Sequence, residues 1–205
     1  MRQVVKVLKM KKNKRLLYIS LLAAQGVVIT LLERSIPFPF AFAPGAKLGL
    51  ANLVTLLALF TLPFKDSLKV VWMRLIISTF LGGTLSTFLY SFAGAFLSFF
   101  GMVMVRRLGP KRVSLIGVSA TGGILHNVGQ LVVASTIAQS FSVMLYLPIL
   151  AATGIFSGIA VGIAANYLME HVVTIRNFQR EESKTDKLTK AWYESNYTAE
   201  YQELE

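Results

Sequence analysis

The chain has 205 residues, 54% of them hydrophobic and only 15% charged, with a mean hydropathy of +0.59; this is too apolar for a soluble domain of that length and indicates an integral membrane protein. The formal net charge is +11, but the cations sit between apolar runs, and the basic stripe on a folded face that marks a nucleic-acid binder is missing. With no cysteine in the chain, disulfides, thiolate metal sites and thiol catalysis are excluded.

Residues 1–15 carry seven Lys/Arg and no acid. Val4, Val5, Val7, Leu8 and Met10 interleave with the lysines, so this segment is either a short amphipathic helix on an anionic leaflet or a basic tail that sets topology. The first apolar run lacks a small-x-small cleavage site followed by a polar mature domain and is read as a retained helix. Six membrane spans are expected, near 16–32, 45–63, 69–90, 91–105, 113–138 and 143–170, against the roughly 20 residues that cross about 30 Å of hydrocarbon. Residues 33–44, ERSIPFPFAFAP, are too rich in proline for a helix. With the N-terminus inside, 18 of the 21 Lys/Arg fall on cytoplasmic segments, so both termini are expected in the cytoplasm and the protein in the cell membrane. The expected layout is a basic segment at 1–15, an all-α six-helix membrane domain at 16–172 and a polar, acidic cytoplasmic tail at 173–205. Trp192, Tyr193, Tyr197 and Tyr201 are spaced for one helical face of that tail, which either docks on a partner, docks on the chain's own basic turns, or stays solvated.

Small residues give the clearest spacing. Gly154, Gly158 and Gly162 recur every four residues in the last span, a row that lets another backbone approach closely and is read first as packing inside the bundle. Gly94, Ser98 and Gly101 form a weaker row in span four. Ser20 and Ala24 form a small-xxx-small pair on the first helix, which is free to face another subunit.

Polar residues within the spans are few, and such groups normally face protein or a cavity. Lys47 and Asn52 enter the second span from a loop bearing Phe38, Phe40 and Phe42, while His126, Asn127 and Gln130 lie within one turn of each other in span five. Together they are expected to line a hollow on the non-cytoplasmic side, cationic and amide-rich with aromatic walls, suited to a small ligand with an anionic head and an apolar or planar body. The competing reading is that the amides bond across helices and His126 is a core histidine. Arg74 lies close enough to the cytoplasmic end of its span to snorkel. Catalysis has little support: only Asp66 and Asp186 are aspartates, with no acidic cluster to hold magnesium against a diphosphate. The chain also lacks the G-x-x-x-x-G-K-[ST] loop that ATP-driven work would need.

The stretches PGAKLGLANLVTLLALF and IGVSATGGILHNVGQLVVAS, six spans and the Arg74 helix resemble the small membrane family labelled both Gx transporter and heptaprenyl diphosphate synthase component I. The architecture is also similar to the S components of energy-coupling factor transporters. That resemblance implies a bundle that holds a vitamin-, flavin- or isoprenoid-like molecule near its outer face, with Ser20 and Ala24 against a transmembrane coupling subunit that works with two cytoplasmic ATPases. It implies no covalently attached cofactor, with a flavin- or quinone-like group among the candidate ligands. The alternative is a membrane scaffold for flavin-linked extracellular electron transfer or an isoprenoid-quinone system, without transport of its own.

Overall fold

A computed structural model describes residues 2–35 and 48–201, with side chains for 12–35 and 48–197. Among the described residues the chain is helical, with no strand: α1 (Arg2–Ser35), α2 (Asn52–Thr61), α3 (Phe64–Phe80), α4 (Leu85–Arg106), α5 (Leu115–Ile137), a 3-10 turn at Phe141–Tyr146, α6 (Leu147–His171), α7 (Val173–Ser183) and α8 (Lys187–Tyr201). Among the described residues four helical stretches are long and apolar enough to cross a membrane: Lys12–Ser35, Leu85–Arg106, Leu115–Ile137 and Phe141–His171. The outward faces of these helices carry exposed Leu17, Leu21, Leu97, Phe156 and Ile163, as a multi-pass membrane protein requires.

The expected six spans need correcting at three places. α1 is one helix from Arg2, so the basic segment and the first span are continuous. The second span is halved: α2 has 10 residues, about 15 Å of helix against about 30 Å of hydrocarbon. Pro63 closes it by forcing Leu62 into extended backbone (φ −129°, ψ 155°). α3 ends ten residues earlier than expected, at Phe80, because Gly82 adopts φ +131° and Thr84 starts α4 with a reciprocal capping box to Thr87. α3 has 17 residues. α4 accordingly takes in residues 85–90, which were expected to close span three.

α5 lies between α4 and α6, and glycine lets it do so at close range. A Cβ on Gly154 would sit 2.6 Å from the Gly123 carbonyl oxygen, one on Gly158 2.6 Å from Ala120 Cα, and one on Gly162 2.8 Å from Ile116 Cα. The expected row is therefore an internal seam against α5. On the other side of α5, a Cβ on Gly129 would meet the Ala93 carbonyl oxygen at 2.5 Å. Dispersion between two backbones at such separation replaces the hydrophobic drive that lipid does not supply.

The C-terminal helices dock on the end of the bundle that carries Arg15, Asp66 and Arg106. Trp192, 1% exposed, packs edge-on against Phe60 at 5.0 Å and donates from Nε1 to the Arg106 carbonyl at 3.2 Å. Arg106 Nη2 donates to Thr189 at 2.6 Å, and the Tyr197 hydroxyl donates to the Met169 carbonyl at 2.6 Å. The tail thus docks on its own chain through Trp192 and Tyr197 of the four aromatic positions, with Thr189 beside them; the side chain of Tyr201 lies outside the described residues. Burial opposes ionisation of Asp186, but bonds from Thr189 and the charge of Arg106 outweigh it and hold the carboxyl below its usual range. Glu182 is pushed up, mainly by burial.

Candidate functional site

The buried polar groups gather where α2 begins. Gly49 precedes the helix at φ +82°, a conformation open to glycine, and a Cβ there would lie 2.9 Å from His126 Cδ2 and 3.1 Å from Asn52 Nδ2. His126 stands midway along α5, so α2 starts in the middle of the bundle. Its far end is tied to the basic end through Thr61, which shares a 3.0 Å hydrogen bond with the Tyr18 hydroxyl. The imidazole is clamped from the other side by α4: a Cβ on Gly94 would meet His126 Cε1 and Nδ1, each at 2.9 Å. Gln130 Nε2 lies 3.0 Å from His126 Nε2. With the amide donating, Nε2 accepts and the ring proton sits on Nδ1, toward Gly94.

Asn52 is 4% exposed, and neither its amide oxygen nor its nitrogen has a hydrogen-bond partner among the described residues. A buried polar group left in this state costs about 1 to 3 kcal/mol. Such groups are almost always bonded, so this amide is the feature of the cluster that points to a missing partner.

Two charges complete the cluster. Glu33, 5% exposed, accepts from the backbone N–H of Gly49 at 2.5 Å and of Leu50 at 3.2 Å, so a carboxylate on α1 neutralises the positive end of the half-helix. Arg74, 4% exposed, passes over Gly26 of α1, where a Cβ would lie 2.7 Å from its Cδ, and interacts electrostatically with Glu33. The snorkelling expected of Arg74 is corrected. α3 begins at Phe64, so the guanidinium is nearly three turns in and is held among helices rather than at the surface.

Among the other expected site residues, Asn127 turns away. Its Nδ2 donates to the Leu150 carbonyl at 2.6 Å and lies 3.4 Å from Thr153 Oγ1, which makes it a brace between α5 and α6. Lys47, Phe38, Phe40 and Phe42 lie outside the described residues. Ser20 and Ala24 are both exposed on α1. Ala24 also edges an apolar lateral cleft of about 490 Å³ between α1, α2 and the α6–α7 junction, with Gln25, Val28, Leu57 and Leu168 among its walls. In the expected row on α4, Gly94 abuts His126, Gly101 abuts Leu125 and Ser98 abuts Gly122. Among the described residues no group of three His, Asp or Glu could hold a metal ion.

Glu33 escapes a reading of the sequence because its partners lie 16 and 17 residues on, across a proline-rich stretch. Its one signal is that it is the only acid before Asp66. The signal for Arg74 is weaker still, since the space it fills is made by a glycine on another helix.

Residues 22–168 match the family model described as heptaprenyl diphosphate synthase component I. No curated protein and no solved structure matches the chain. The match covers α2 to α5, the second half of α1 and nearly all of α6, and so includes every residue of the buried cluster; α7 and α8 lie beyond it.

Proposed function

The chain belongs to the heptaprenyl diphosphate synthase component I family, and from that membership we propose that it is a membrane-embedded binding subunit that works with partner chains and is not itself an enzyme. It takes up a small molecule of the vitamin, flavin or isoprenoid kind and passes it to an ATP-driven coupling assembly, in the manner of the S components of energy-coupling factor transporters. The observation that carries this reading is the start of α2: a half-helix beginning mid-bundle, with the unbonded amide of Asn52 beside His126 and Gln130. Discontinuous helices with polar groups at the midplane are how transport proteins build binding sites, because irregular backbone at that depth is tolerated only against protein or a cavity.

The exposed Ser20 and Ala24 on α1 supply a small-residue face for a coupling helix. The basic end, with Arg106, Arg107, Lys111 and Arg112, faces the cytoplasm by the positive-inside rule, where two ATPases would act. Among the described residues of the cluster Glu33 is the sole acid and its carboxylate accepts from the Gly49 and Leu50 N–H groups, short of the set that would hold a divalent cation against a diphosphate, which favours binding over prenyl transfer. A second reading, a non-transporting scaffold for an isoprenoid-quinone or flavin-linked system, is favoured by the family description itself, which names one component of a synthase.

The test is to purify tagged wild-type chain from its own membrane and identify co-purifying proteins and small molecules by mass spectrometry, alongside the Ser20→Leu plus Ala24→Leu variant. Transport predicts ATPase subunits with the wild type, their loss from the variant, and retention of the same small molecule by both. A prenyl-synthase chain in place of ATPases supports the scaffold. Neither a defined small molecule nor either partner would overturn both readings.

A further inference from the structure

The second site lies outside the family match, between α7 and α8. After α6, Val172 turns extended (φ −94°, ψ 104°) and α7 sets off along the end of the bundle. α7 is anchored by Ile175, 8% exposed, by fully buried Gln179, and by Phe178, whose ring stacks on Tyr18 at 3.9 Å and 8°. α8 is pinned by Trp192 and Thr189 on Arg106. Both helices are therefore held against the bundle, and a hollow of about 540 Å³ lies between them.

Its walls are Arg180, Ser183, Lys184, Lys190, Tyr193 and Glu194. Three cations face one carboxylate. Lys190 lies 3.6 Å from Glu194, and Lys184 pairs with Glu181 at 2.6 Å. Both pairs are exposed and readily exchanged. The Arg180 guanidinium has no acidic partner among the described residues. A planar, always-charged fork flanked by two ammonium groups and two hydroxyl side chains matches a phosphate better than a lone carboxylate, which one arginine would satisfy. The chain enters α7 directly from the end of α6, where the exposed Tyr167 ring stacks on His171 at 4.1 Å, an aromatic position typical of the membrane–water boundary. Basic pockets on the cytoplasmic side of membrane helices bind lipid head groups.

We propose that the α7–α8 hollow binds a phosphate-bearing anion at the membrane surface, through Arg180, Lys184 and Lys190. The source is either the head group of an anionic phospholipid or a soluble diphosphate, and this site is independent of the buried cluster at Asn52.

The test uses full-length protein in a neutral detergent. Inorganic pyrophosphate is titrated by calorimetry, and retention of added phosphatidylglycerol is read by native mass spectrometry. Arg180→Gln plus Lys190→Gln should weaken binding about tenfold or more. Lys111→Gln plus Arg112→Gln, which removes the same charge from the same end, should change it less than about twofold by screened electrostatics alone. Glu194→Gln should tighten it. Pyrophosphate binding without lipid retention assigns a soluble ligand, and lipid retention assigns a head group. Binding of neither probe, or equal weakening by the two double variants at unchanged helicity and melting temperature, would overturn the site.

Discussion

Gly123→Ala should destabilise the bundle by about 3 kcal/mol or more, whereas Gly117→Ala on the same helix should cost less than about 1 kcal/mol. At most helical positions alanine is better than glycine by about 0.5 to 1 kcal/mol, since it loses less backbone freedom on folding. The added Cβ at Gly117 would meet Val113 Cγ2 at 2.9 Å and Ser114 Oγ at 3.5 Å, near the helix start and with no backbone atom among its neighbours, so the strain falls on side chains alone. At Gly123 it would run into the carbonyl oxygen of Gly154, and the reciprocal position on Gly154 is 2.6 Å from the Gly123 oxygen. No rotamer relieves a clash with backbone, so α5 and α6 must separate and the whole seam from Gly154 to Gly162 opens with them. Overpacking of ordinary side-chain cores costs about 1 to 3 kcal/mol; two opposed backbones lie at or above the top of that range. Thermal midpoints of the two variants in detergent, measured against wild type, decide the point.

Arg74→Met should also be damaging, at about 1 to 3 kcal/mol, because it removes a buried charge that acts on the buried Glu33 carboxylate within the bundle. Glu33→Gln should cost less, since the amide oxygen still accepts from Gly49 and Leu50 N–H. The double variant should be more stable than the sum of the two singles, the signature of electrostatic coupling. If Arg74 reached the surface, as its sequence position first indicates, Arg74→Met would fall within about 0.5 kcal/mol of wild type.

What could be read from the sequence was whatever repeats along one element. The row Gly154, Gly158, Gly162 declares a packing seam by its spacing alone, and the apolar lengths of α5 and α6 mark them as spans. The start of α2 was hidden because hydropathy sees residues 45–63 as one apolar stretch. Where helix begins there depends on Glu33 accepting the N–H groups of Gly49 and Leu50 from another helix. The break between α3 and α4 had a local cue, two glycines followed by a capping threonine, which the surrounding hydrophobic run outweighed. His126 and Asn127 show the limit most plainly. They are neighbours in sequence but about 100° apart on the helix, so one joins α2 and α4 at the candidate site and the other braces α6.

Asn52→Leu, followed for both melting temperature and small-molecule content, probes the start of α2 most directly. Leucine removes the two unbonded amide atoms at similar volume, so the ligand-stripped variant should melt above ligand-stripped wild type, by the equivalent of about 1 to 3 kcal/mol. It should also carry none of the molecule that wild type retains, and adding that molecule back should raise the melting temperature of wild type alone. A variant that keeps the same molecule as wild type, and is stabilised by it to the same extent, would contradict a binding site at Asn52.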